Sequence, residues 1–208
     1  MTGAQASAPS EDDAASTAHL VLLRHGETTW NSRRIVQGQS PGSVLTDLGR
    51  SQVRSTIAEL AGQVDAVVSS DLERAIESAH IVATALGLAV RVDPGLRERS
   101  FGVLEGQPLA VLVPSVEGIV DAVVVDENAR PAEGESLRDL YERSVRAARR
   151  VGQHRPGQRT LVVAHGGPIR MIRAYAEGRP VTGCPWDQVA NASLWPVVVS
   201  LRPELDLD

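Results

Sequence analysis

Two short apolar runs that each end in a His-Gly pair constrain this chain more than any other feature. The first is Leu20-Val21-Leu22-Leu23, which leads into Arg24-His25-Gly26-Glu27-Thr28. The second is Thr160-Leu161-Val162-Val163-Ala164, which leads into His165-Gly166-Gly167-Pro168-Ile169-Arg170. An apolar run of this length, closed by Gly, reads as a buried strand that stops at a turn. In open α/β sheets, ligands bind beyond the carboxyl ends of the strands. Two histidines and an arginine therefore stand where a site is expected. A guanidinium matches phosphate oxygens with its planar fork. A neutral imidazole nitrogen can attack phosphorus or shuttle a proton. A lone histidine at such a place is more often a satisfied structural residue. Two of them, each between an apolar run and a glycine, favour a site built between neighbouring strands.

Two pieces lie between these runs. In Val67-Val68-Ser69-Ser70-Asp71-Leu72-Glu73-Arg74-Ala75 a short strand gives way to Ser/Asp residues and then a helix, with Arg74 in its first turn. A cation there opposes the helix dipole, and it makes better sense if an anion shares the place. The plainer reading is a solvated arginine on a helix face. The segment Leu96-Arg97-Glu98-Arg99-Ser100-Phe101-Gly102-Val103-Leu104-Glu105-Gly106 is rich in charge and glycine. Glu98 is a candidate buried general acid and Glu105 its competitor; the default for either is an exposed loop carboxylate.

The rest of the chain alternates. Strands are expected at His19–Arg24, Ala66–Ser69, Ala89–Val92, Thr160–Ala164 and about Ser193–Ser200. Helices are expected from about Asp47 to Leu60 behind a Thr46 cap, Leu72 to Leu86, Leu137 to about Val151 behind a Ser136 cap, and Ile169 to Ala176. The stretch up to Ser43 reads as a polar loop, and Pro108–Asn128 stays ambiguous between one short helix and two. Strands alternating with helices predict an α/β sandwich with a mostly parallel sheet. Residues 1–17 are rich in Ala, Ser, Asp and Glu and read as a disordered tail without signal-peptide character. The remainder, 18–208, suits one domain.

Composition narrows the function classes. A net charge of -5 argues against a nucleic-acid footprint, which wants a basic face. No stretch is long and apolar enough for a membrane span. The single cysteine, Cys184, allows no internal disulfide and fits a reducing cytoplasm. Asn191-Ala192-Ser193 matches a glycosylation acceptor, which we take as chance.

The motif set resembles the histidine phosphatase superfamily, in its phosphoglycerate-mutase-like branch. The resemblance spans about His19 to Trp195. It is carried by Arg24-His25-Gly26-Glu27-Thr28 with Trp30-Asn31, by Gln37-Gly38, and by Leu45-Thr46 with Gly49 and Gln52. It continues through Ser69-Ser70-Asp71-Leu72-Glu73-Arg74-Ala75, Leu96-Arg97-Glu98 with Phe101-Gly102, and Ala164-His165-Gly166-Gly167. It implies a three-layer α/β/α sandwich whose mostly parallel sheet has one antiparallel strand, with a small lid at about 103–135. It also implies roles. His25 would be the nucleophile that becomes phosphohistidine, and Glu98 the proton donor and later base. Arg24, Arg74 and His165 would hold the phosphoryl oxygens, beside Gly166. Asn31, Gly38 and, less securely, Gln37 would form the substrate-contacting loop. No cofactor and no metal are expected: arginine does the work of the cation, and the histidines lack a ligand cluster. The partner would be a small-molecule phosphate monoester, and a homodimer stays open.

Phosphatase is favoured over mutase. A mutase must hold its substrate through two transfers and needs extra cationic anchors. The phosphoglycerate mutases carry a Lys soon after the proton donor, where this chain has Leu109, and an Arg pair in the lid. Phe101 to Ala129 contains no Arg. If Leu109–Val125 covers the pocket, its apolar, faintly acidic face would prefer a neutral or apolar leaving group. Equally, those residues face the core or a partner copy. A catalytically inactive regulatory or binding module is the third reading.

Overall fold

The structure is a computed structural model that describes residues 16–112, 126–183 and 189–202. The residues read as tail up to position 15, the segment 113–125 of the expected lid, and Cys184 lie outside the described residues. Five strands form one sheet: β1 (Thr17–Arg24), β2 (Ala66–Ser69), β3 (Val90–Val92), β4 (Arg159–Ala164) and β5 (Leu194–Ser200), in the order β3-β2-β4-β1-β5. The first four are mutually parallel, and β5 pairs antiparallel along β1. This is the expected α/β sheet with its single antiparallel strand. Pro196, which cannot donate to a ladder, sits on β5 at the sheet edge.

Strand periodicity builds the layers. Leu20 and Leu22 of β1, with Val162 and Ala164 of β4, point to one face, where α5 (Leu137–Gln153) and α6 (Gly166–Ala176) pack through Ala147, Ala148, Ile169 and Ile172. Val21, Leu23, Leu161 and Val163 point to the other. There α2 (Asp47–Ser55), α3 (Ile57–Leu60) and α4 (Glu73–Leu86) supply Val53, Leu60, Ala75, Ala79 and Val82. Both strand faces are apolar because both are covered, as parallel sheets require. Small residues on the helices let them lie close to the sheet, and so few aromatics suffice.

Three local differences from the expected elements have physical causes. The helix expected over Asp47–Leu60 breaks at Thr56, whose N–H and hydroxyl both bond the carbonyl of Val53, a 3₁₀-type closure. Thr29–Ser32, inside the expected polar loop, is a short helix α1, closed by a reciprocal capping box between Thr28 and Asn31. Finally, α6 starts at Gly166 rather than Ile169, because Pro168 in a first turn gives up no hydrogen bond that the helix would make.

The parallel strands deliver their carboxyl ends to one edge. Arg24 ends β1 and His25 follows it, Ser70 follows β2 and His165 follows β4. Close glycine contacts let the chain leave β1: a Cβ on Gly26 would sit 2.3 Å from the Gly49 carbonyl oxygen, and one on Gly49 would sit 2.0 Å from that of Glu27.

Candidate active site

A cavity of about 300 Å³ opens at this edge. Its wall includes Arg24, His25, Asn31, Gln37, Gly38, Arg74, Glu98 and Gly166, eight of the nine residues expected from the sequence. The ninth, His165, is fully buried one layer behind, its ring 5.1 Å from that of His25 and tilted by 59°.

His25 is held from both sides of its backbone: its N–H donates to Ala164 O, and its carbonyl accepts from Asn191 Nδ2. Its Nδ1 lies 2.7 Å from Gly26 O, so Nδ1 carries the proton and Nε2 the lone pair. Burial, and then the positive charges of Arg74 and Arg24, push the imidazole well below its ordinary range. The ring is therefore neutral at physiological pH, with the lone pair free on Nε2.

His165 is lowered in the same way, first by burial and then by Arg74, His25 and Arg24. Its Nε2 lies 2.9 Å from Ser70 Oγ, which in turn accepts from Leu72 N–H. In the tautomer where Ser70 donates to Nε2, the proton sits on Nδ1. That atom is buried and has no partner among the described residues.

The two arginines are tethered by one arm each. Arg24 Nη1 donates to Val189 O at 2.6 Å, and Arg74 Nη2 donates to Gly38 O at 2.7 Å. The Nε of each is buried without a partner among the described residues. Burial lowers both guanidinium groups, that of Arg74 to about 10, while the Glu98 charge partly restores them. Both stay cationic at neutral pH. Unpaired buried N–H groups are costly and rare in proteins, at about 1–3 kcal/mol each. Five buried side-chain atoms lack a partner among the described residues, and three of them (Arg24 Nε, Arg74 Nε and His165 Nδ1) surround His25. An anion there would satisfy them.

The structure separates the two candidate acids. Glu98 lies on the cavity wall, its carboxylate accepting from Arg99 N–H at 2.8 Å and from Gly167 N–H at 3.1 and 3.2 Å. Gly167 is in the first turn of α6, and a Cβ there would meet Glu98 Oε1 at 2.1 Å. Glu105 instead fastens loops: it accepts from Gln39 N–H, the Ser40 hydroxyl and Phe101 N–H. It also fills the space beside Gly38, whose φ of +49° suits glycine.

Asn31 uses its side-chain oxygen internally, accepting from Thr28 and from Asn191 Nδ2. Its amide hydrogens remain for a ligand. Gln37 spends its oxygen on the Ser43 hydroxyl at 2.7 Å and on Thr28, so it shapes the loop. The sequence reading missed three residues. Asn191, set aside as a glycosylation match, ties His25 to Asn31. Arg34 and Arg170 both line the cavity. Arg170 is buried, and its position one turn after Gly166, on the helix that His165 caps, was the signal that could have found it.

A family model described as the histidine phosphatase superfamily (branch 1) matches residues 20–202. The chain belongs to that superfamily. It is 38% identical over 169 residues to phosphoglycerate mutase-like protein 4 of Arabidopsis thaliana, covering 78% of this chain and 72% of that protein. It is 38% identical over 163 residues to a probable phosphoglycerate mutase, GpmB, of Yersinia pestis, covering 77% of this chain and 75% of that protein. Among solved structures, a mycobacterial glucosyl-3-phosphoglycerate phosphatase in complex with VO3 superposes with a TM-score of 0.75 at 34% identity, covering 86% of this chain and 92% of the other.

Proposed function

We propose that the protein is a phosphatase that hydrolyses a small-molecule phosphate monoester through a phosphohistidine on His25. One observation carries this reading: three buried, unpartnered nitrogen atoms belong to the residues around an imidazole whose Nε2 bears the lone pair. In the proposed first step, His25 Nε2 forms a bond to phosphorus as the ester P–O bond breaks. The leaving alkoxide takes the proton of the Glu98 carboxyl. In the second, Glu98 takes a proton from water, whose oxygen displaces His25 and releases inorganic phosphate. Arg24, Arg74 and His165 neutralise the phosphoryl oxygens throughout, which is where most catalytic power lies in phosphoryl transfer. Among the described residues, no group of three or more His, Cys, Asp or Glu could hold a metal ion.

The mycobacterial relative's name supports hydrolysis. The names of the Arabidopsis and Yersinia relatives favour a second reading, phosphoglycerate mutase-type transfer. Among the described residues, no helix is long and apolar enough to cross a membrane. We place the enzyme in the cytoplasm, without a nucleic-acid partner, as a monomer or homodimer.

The test is phosphate release, with chelator present, across aryl, alkyl and sugar phosphates and 3-phosphoglycerate, with 2-phosphoglycerate followed in parallel. Net phosphate release with a clear favourite is expected. Isomerised phosphoglycerate without release would make the chain a mutase, and silence throughout would make it a binding module.

A further inference from the structure

Glu98 sits on a segment that regular secondary structure does little to hold. Between the 3₁₀ turn Pro94–Leu96 and Phe101 the chain joins no strand or helix. Among the described residues, the Glu98 carboxylate bonds only backbone N–H groups, those of Arg99 and Gly167. Its reach into the cavity is therefore set by where its own backbone lies.

That backbone is gripped by side chains. Arg143, on α5, makes five hydrogen bonds, one for each N–H of its guanidinium. Nη1 donates to the carbonyls of Gly95 and Arg97, at 2.9 and 2.8 Å, and Nη2 to that of Glu98 at 3.2 Å. Nε and Nη2 also grip the two oxygens of the Glu135 carboxylate, at 2.9 and 2.7 Å. Glu135 passes the hold to the far side of Glu98. Its Oε2 accepts from Ser100 N–H, its carbonyl accepts from Arg99 Nε, and its N–H donates to the Ser100 carbonyl. The two side chains are only 21% and 22% exposed, so water competes weakly for these bonds. Leu140, Ala147, Ala148 and Val151 bury α5 in the core, so the clamp ties Glu98 to a fixed helix. Only a planar, five-donor fork can hold three carbonyls and a carboxylate at once.

We propose that Arg143, backed by Glu135, is a positioning residue for Glu98. It sets the carboxyl where it meets the leaving oxygen, and neither partner of the clamp is on the cavity wall. The inference rests on the phosphatase reading and deepens it. A bridge that only stabilised the fold would affect every substrate alike. A positioning clamp acts on the proton transfer and spares the attack of His25.

The test measures kcat and KM on monoesters whose leaving groups run from activated aryl to simple alkyl alcohols. The variants are Arg143→Met, Arg143→Lys and Glu135→Gln, each also combined with Glu98→Gln. Arg143→Met should lower kcat for alkyl phosphates by about 10–10²-fold, with little change for the activated aryl ester. The plot of log kcat against leaving-group pKa should therefore steepen. KM should stay within about twofold, because Arg24 and Arg74 still hold the phosphoryl group. Arg143→Lys should keep part of the lost rate. Glu135→Gln should show the same pattern more weakly, and it carries the test if Arg143→Met does not fold. In the Glu98→Gln background the Arg143 change should cost less than about twofold further, since the group it positions is gone. An equal loss with alkyl and aryl esters, or an undiminished loss in the Glu98→Gln background, overturns the proposal while leaving the phosphatase reading intact. Absence of phosphate release by the unmodified enzyme overturns both.

Discussion

The two ends of the cavity are built differently. At the phosphate end, His25, Ser70 and His165 sit directly behind three neighbouring parallel strands, buried and fixed by backbone hydrogen bonds. At the leaving-group end, Arg34, Phe101, Leu109 and Leu112 come from loops and short 3₁₀ turns, which form their own small apolar cluster around Val36. The comparison teaches where each property resides. On the proposed reading, reaction type is set by rigid strand ends that cannot shift without disturbing the core, and substrate choice by loops that can vary.

If the phosphate end carries the chemistry, changes there should dominate any made at the other. The largest effect is expected from His25→Ala, which removes the nucleophile and should lower kcat for an aryl phosphate by at least about 10³-fold. Residual turnover within tenfold of the unmodified enzyme would assign the attack elsewhere. Next, Glu98→Gln should cost about 10²–10⁴-fold with alkyl phosphates, whose leaving group needs a proton, and much less with an activated aryl ester. Glu105→Gln should affect both esters alike, because that carboxylate only fastens the Gly38 loop. The opposite pattern would exchange the two roles.

A smaller effect should follow from Gly167→Ala. Its Cβ would displace the Glu98 carboxylate without touching His25, so alkyl phosphates should lose about tenfold in kcat while aryl phosphates change little. An equal loss with both would show that the damage spreads to the nucleophile.

The smallest effect concerns stability. His25 and His165 are both held well below the ordinary histidine range in the fold. Unfolded, they take up protons near pH 6.5; folded, only at much lower pH. The unfolded state then binds more protons, so stability should fall as pH drops below about 6.5. Denaturant melts between pH 7 and pH 5 should show this slope, and His165→Asn should flatten it. An unchanged slope in that variant would mean that His165 is already protonated in the fold.

The same contrast explains what could be read from the sequence. Strand-end residues announce themselves, because an apolar run of period two must stop somewhere and His-Gly marks the place. His25, His165 and the layers around β1 and β4 were legible for that reason. Arg74 was legible only with the resemblance, since an arginine in a first helical turn is ordinarily a surface residue. Glu98 and Glu105 share a loop rich in charge and glycine; the resemblance alone chose Glu98 in the sequence, and in the fold it faces the cavity while Glu105 faces the Gly38 loop. Arg34 is one of the chain's 21 basic residues, all of them arginine, and nothing local distinguishes it. Arg34 reaches the rim because Leu109, distant in sequence, pins its backbone. The break at Thr56 was hidden for a similar reason: its hydroxyl competes for a carbonyl that periodicity assigns to the helix.

The most direct test of the account is to catch the covalent intermediate. The enzyme would be mixed with a good aryl phosphate, quenched in alkali within the first turnover, and its peptides analysed by mass spectrometry. The account predicts an alkali-stable, acid-labile phosphoryl group on the peptide that contains His25, absent from His25→Ala. Steady turnover with no phosphoryl group on that peptide, or with the group on another residue, would contradict it.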